Sequence, residues 1–163
     1  RYSERTLPEM LELHERSAFR VTFHGAGVGA TIPWHLHYQI TTEQLPVEML
    51  PPGREAMYPA ALRRIEIDGH GTAEAVEVVN DWIDRDLEHH RVNVLVAGST
   101  DRPVIHVFFR DTRLSHAAVK GLMGGFEVCG DLVYSEPDKR DVFEDASVAV
   151  ARQALEEIRP RLT

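Results

Sequence analysis

His35, His37 and Gln39 stand two residues apart in the stretch GATIPWHLHYQI, residues 29 to 40. In a strand, side chains two apart point to the same face and lie about 7 Å apart along the chain. The three polar groups therefore share a face, and Leu36, Tyr38 and Ile40 are left for the core. Upstream, Gly25, Gly27 and Gly29 let the backbone turn sharply and approach a ligand closely, and their amides can form an anion-binding nest. Two kinds of chemistry suit this arrangement. A neutral imidazole can attack a phosphate diester and leave again once protonated, which splits one displacement into two. His37 is the expected nucleophile, with His35 and Gln39 flanking it to set its tautomer or hold the phosphate. Alternatively, both histidines can reach one divalent metal ion. The bland alternative is a solvent-facing sheet edge carrying two histidines without a role.

The elements that must position these residues follow from hydrophobic period. Thr6 with Glu9 is a capping-box pattern, so a helix is expected over 6 to 17. FRVTFHG at 19 to 25 and HLHYQI at 35 to 40 alternate as strands around the glycine-rich loop. Residues 44 to 60, with Pro46, Pro51, Pro52, Gly53 and Pro59, are expected to form a long surface loop. A strand at 61 to 68 turns through Gly69 to Gly71 into a helix striped by Val76, Val79, Ile83 and Leu87 and closed near His89 and His90. Residues 92 to 98 and 103 to 110 read as a hairpin turned by STDR, GDLVYS reads as another strand, and Asp145 or Ser147 caps a last helix along Val148, Ala151, Leu155 and Ile158. Such a mixture predicts one α+β domain over 1 to 163, with helices packed on one side of a sheet.

Composition narrows the function. The balance of 26 acidic to 18 basic side chains, a formal charge of −8, leaves no basic stripe for nucleic acid. Cys129 is the only cysteine, which excludes intramolecular disulfides and thiolate zinc cages. No run reaches the ~18 apolar residues of a membrane span and no signal peptide opens the chain, so the expected location is cytoplasmic. A P-loop, a dinucleotide fingerprint, a serine-nucleophile elbow and an HExxH helix are absent from the sequence.

GATIPWHLH has the glycine-to-histidine spacing of the first cupin motif, but Thr41 and Thr42 stand where that family has a glutamate, and Leu50 stands near its following glycine. GATIPWHLHYQ more closely resembles the active-site motif of the histidine-triad superfamily in its transferase branch, which holds galactose-1-phosphate uridylyltransferase, diadenosine tetraphosphate phosphorylase and the GDP-hexose phosphorylases. NVLVAG…RPVIHVFFR and GGFEVCGDLVYSEPDKRDVFEDAS resemble later patterns of the same branch, so the likeness spans most of 18 to 158.

This resemblance implies a mixed, largely antiparallel sheet and a nucleotidyltransferase or phosphorylase that works through a covalent nucleotidyl-histidine. His37 matches the histidine that is nucleotidylated, and Gln39 matches the glutamine that replaces the third histidine of the triad. Thr31 stands where phosphorylase-like members have serine, His24 where the family often has asparagine, and Trp34 where a polar residue is common. The implied partners are a nucleotide sugar or dinucleoside polyphosphate and a phosphate or sugar-phosphate acceptor, with a homodimer as the usual assembly. In these enzymes an N-terminal segment supplies much of the base and ribose pocket. The chain begins with Arg1 just before the motif, so it reads as the back portion of a longer enzyme.

A chain of net negative charge needs local cations to hold an anionic substrate. Arg102, Arg110, Arg113 and Lys120, with His106 and His116 among them, form the densest basic stretch. Arg110, closing a buried strand, is the best phosphate clamp because its fork binds two oxygens. The expected catalytic residues are thus His37, Gln39 and His35, and the expected binding residues His24, Gly27, Gly29, Thr31 and Arg110.

Overall fold

Among the described residues five strands pair in the order β2-β1-β4-β5-β3: β1 Arg20–His24, β2 Tyr38–Thr41, β3 Ala61–Glu66, β4 His90–Ser99 and β5 Arg102–Asp111. Every pairing among them is antiparallel. The computed structural model describes residues 2–24, 38–67, 71–85, 90–111, 124–131 and 148–159. β4 and β5 form the expected hairpin, with Ser99 opposite Arg102. Gly98 precedes the turn at φ 90°, and a Cβ there would meet the Arg102 carbonyl oxygen at 2.8 Å, so only glycine fits. His90, expected to close a helix, is instead the first residue of β4 and pairs with Asp111.

Alternation sorts the strand side chains onto two faces. On one, Val21, Phe23, Val92, Val94, Val96, Ile105, Val107 and Phe109 are buried against two helices, α1 (Tyr2–Ser17) and α2 (Thr72–Arg85). Leu7, Met10 and Leu11 of α1 and Ala75, Val79 and Ile83 of α2 supply the facing stripes, at the spacing an amphipathic helix requires. α1 starts a turn before the expected Thr6 and carries Pro8 within it. Glu9 forms no capping box with Thr6; its carboxylate accepts from Arg5 Nε and from the Tyr38 hydroxyl, both at 2.8 Å. Ala18, left-handed at φ 57°, ends the helix by donating its N–H to the His14 carbonyl.

The architecture is α+β, as expected, but only α1 and α2 obey the expectation of helices on one side. The run Val92 to Ala97 is buried on both faces of the sheet, so both need cover. The second face, with Leu62, Leu95, Ala97 and Phe108, packs against Leu45, Val47, Tyr58, Val128, Cys129, Ala154, Leu155 and Ile158. Those residues come from the proline-rich segment, from a short helix α3 (Gly125–Val128) and Cys129 after it, and from the last helix, here α4 (Val148–Glu157), and Ile158 after it.

The proline-rich segment is therefore more than a surface loop. It forms two 3₁₀ turns, Pro46–Met49 and Glu55–Met57, and two arginines of the sheet hold it down. Arg20 of β1 grips the Glu48 carboxylate at 3.0 Å, and Arg64 of β3 pairs with Glu55 at 3.0 Å while donating to the Leu50 carbonyl at 2.9 Å. Of the strand expected at GDLVYS, Gly130 and Asp131 follow α3 in a turn, and the remainder lies outside the described residues.

Candidate functional site

Polar side chains interrupt the second face at one end of the sheet. Gln39, on β2, stands opposite Thr22 of β1, and the Thr22 hydroxyl donates to Gln39 Oε1 at 3.5 Å. Two residues on, His24 ends β1 opposite Asn93 of β4, and Asn93 in turn faces Phe108 of β5. Thr22, His24 and Asn93 are buried at 1%, 5% and 1% exposure. Burying three polar groups in a row forfeits hydration that interactions within the protein must replace.

Arg110 lies two residues beyond Phe108 and so joins the same face. Burial lowers its pKa to about 10, with Glu127 pulling the other way, so its guanidinium remains charged at neutral pH. Two residues from Phe108 on the hairpin side, His106 shares the face but sits beneath the proline-rich segment. Burial and the neighbouring Arg64 bring its pKa down to about 4, so it is neutral and serves no anion. Arg102, exposed at the opposite end of β5, is remote from the polar line. Arg113, His116 and Lys120 lie outside the described residues.

α3 is seated on Thr22 and His24. A Cβ at Gly125 would lie 2.7 Å from Thr22 Oγ1 and 3.0 Å from His24 Nδ1, so the helix reaches this depth only because the residue is glycine. At its first turn the Glu127 carboxylate accepts the Gly124 N–H at 2.8 Å, closing the helix start. Burial pushes the Glu127 carboxyl up, against the lowering effect of that N–H and of Arg110. Cys129, next to the helix end, is fully buried with its thiol pushed well up, which makes it a packing residue rather than a nucleophile.

Of the expected site residues, Gln39, His24 and Arg110 are brought to one face of the sheet. Gly27, Gly29, Thr31, His35 and His37 lie outside the described residues. Thr22, Asn93 and the Gly124–Gly125 seat were not singled out from the sequence. The available signal was Asn93 alone between Val92 and Val94, a polar residue inside an apolar strand.

Among the described residues no group of three or more His, Cys, Asp or Glu side chains could hold a metal ion, and no helix is long and apolar enough to cross a membrane. No family model, curated protein or solved structure matches this chain. Chemically, the face offers an amide, an imidazole, a carboxamide and a desolvated guanidinium, a set able to donate several hydrogen bonds to anionic oxygens.

Proposed function

We propose that the chain is a nucleotidyltransferase or nucleotide phosphorylase of the histidine-triad-like transferase type, acting on a nucleotide sugar or dinucleoside polyphosphate. One observation carries this reading: Gln39, the motif residue nearest the expected nucleophile, shares a buried polar face with Thr22, His24 and Asn93, and Arg110 joins it. An imidazole nitrogen of His37 attacks the α-phosphorus, a P–N bond forms, and the phosphorylated leaving group departs with the electron pair of the broken P–O bond. An oxygen of inorganic phosphate or a sugar phosphate then attacks the same phosphorus, and the imidazole leaves. Gln39 and Arg110 hold the non-bridging oxygens during both displacements, where added negative charge needs fixed donors.

The test is the intact mass of the protein in its full-length form after mixing with nucleotide sugars and dinucleoside polyphosphates without an acceptor. The expected result is an acid-labile nucleoside monophosphate adduct that is absent from His37→Ala. No adduct with any donor, together with stoichiometric bound metal, would overturn the proposal in favour of a binding domain that uses His35 and His37 as metal ligands.

A further inference from the structure

We infer that Thr22 is a positioning residue that turns the Gln39 side-chain amide so that its NH₂ group, and not its oxygen, is presented to a phosphoryl group. The inference rests on the transferase reading above and concerns how that site is kept selective for an anion. A neutral glutamine offers either two donors or two lone pairs depending on a 180° flip of its amide, and the flipped form would repel a phosphate oxygen.

The surroundings of Thr22 favour the form that presents the NH₂. Thr22 is buried at 1% exposure, so its hydroxyl proton is best placed on an acceptor. On one side the backbone of α3 closes in, since even a Cβ on Gly125 would come within 2.7 Å of Oγ1. On the other side lies Gln39 Oε1, 3.5 Å away, and the hydroxyl donates to it. With Oε1 engaged, the Gln39 NH₂ points away from Thr22. α3 thus confines the hydroxyl, the hydroxyl orients the amide, and the amide meets the substrate. Thr22 itself touches no reacting atom.

Two substitutions separate this role from packing. Thr22→Val keeps the shape and removes the hydroxyl; Thr22→Ser keeps the hydroxyl and removes a methyl. Single-turnover adduct formation, followed by intact mass over a range of donor concentrations, should be about tenfold slower at saturation in Thr22→Val with half-saturation unchanged, the loss expected for one misplaced hydrogen bond. Thr22→Ser should stay within about twofold of the parent protein. In the ligand-free protein, the Gln39 side-chain ¹⁵N–H₂ signals, assigned by their disappearance in Gln39→Glu, should move in Thr22→Val and stay near their original place in Thr22→Ser. Normal adduct formation by the parent with an unimpaired Thr22→Val, or equal slowing in both variants, would overturn the positioning role alone. No adduct in the parent protein would instead overturn the transferase reading, and unmoved amide signals in Thr22→Val would overturn the contact itself.

Discussion

The hydroxyl of Tyr58 donates to the backbone carbonyl of Val128 at 2.7 Å, joining the proline-rich segment to the last residue of α3 across 70 positions of sequence. The Val47 N–H adds a second link to the Cys129 carbonyl at 3.1 Å. The same helix carries Glu127 and rests on Thr22 and His24, so the segment that covers the sheet also fixes one wall of the candidate site.

Tyr58→Phe leaves the Val128 carbonyl buried without that donor while keeping the ring against Phe108, whose centroid is 5.8 Å away. The expected cost is about 1 to 2 kcal/mol in urea unfolding, with faster amide exchange in α3 than in β4. Uniform exchange across both elements would show that the bond stabilises the fold without specifically holding α3.

Arg20 and Glu48 form the sheet's anchor on the first 3₁₀ turn, with side-chain exposures of 20% and 8%, and Glu48 also accepts the Leu45 N–H at 2.8 Å. Removing one partner strands the other charge away from water, so Glu48→Gln should destabilise by about 2 to 4 kcal/mol. A double-mutant cycle with Arg20→Met should return coupling above about 1 kcal/mol. The exposed Arg16–Glu12 pair of α1 should show little or none. Equal coupling in the two cycles would contradict the assigned burial.

His106 makes stability depend on acid. Its folded pKa, about 4, lies below the 6.5 of a free imidazole, because burial and Arg64 outweigh the attraction of Glu48 and Glu55. The unfolded chain therefore binds the proton more readily, so stability is full above pH 6.5 and falls as pH drops toward 4, by up to about 3 kcal/mol. His106→Leu removes this dependence. The stability of the variant relative to the parent should rise steadily between pH 6.5 and 4; a constant difference would mean that His106 is already charged in the folded state.

If the proposed two-step reaction holds, Gln39→His would place a titratable donor two residues from the expected nucleophile. The nucleotidylated intermediate should then partition toward water, and product analysis by anion-exchange chromatography should show nucleoside monophosphate rising at the expense of the acceptor product. An unchanged product ratio would remove Gln39 from the reaction.

Much of the fold was legible because period alone dictated it. The stripe Val76, Val79 and Ile83 required α2, and the apolar runs at 92 to 98 and 103 to 110 required a hairpin. Where helices would sit was not legible, since a doubly buried strand does not say what covers each face. α3 left no trace in the pattern: it is four residues long, opens on two glycines, and exists through its contacts with Thr22 and His24. The site was expected at His35, His37 and Gln39, with Arg110 as clamp, because their chemistry is visible in isolation, and of these only Gln39 and Arg110 fall within the described residues. Thr22 and Asn93 matter only through cross-strand register, which no single strand reveals.

Arg110 allows the charge requirement of the site to be examined through pH. The burial that lowers the Arg110 pKa to about 10 would also lower that of an ammonium placed there. If the chain acts as proposed, Arg110→Lys should bind a nucleotide donor at pH 6.5, weakened about tenfold by loss of the bidentate fork, and should weaken further as pH rises toward 9 and the amine gives up its proton. The parent protein, still charged there, should show no such step. Titration calorimetry of both proteins between pH 6.5 and 9 reads this directly, with Arg110→Ala as the uncharged reference. If Arg110→Lys follows the parent at every pH, the side chain is solvated when donor is bound and clamps nothing. If Arg110→Ala binds as well as the parent, the phosphate is held elsewhere.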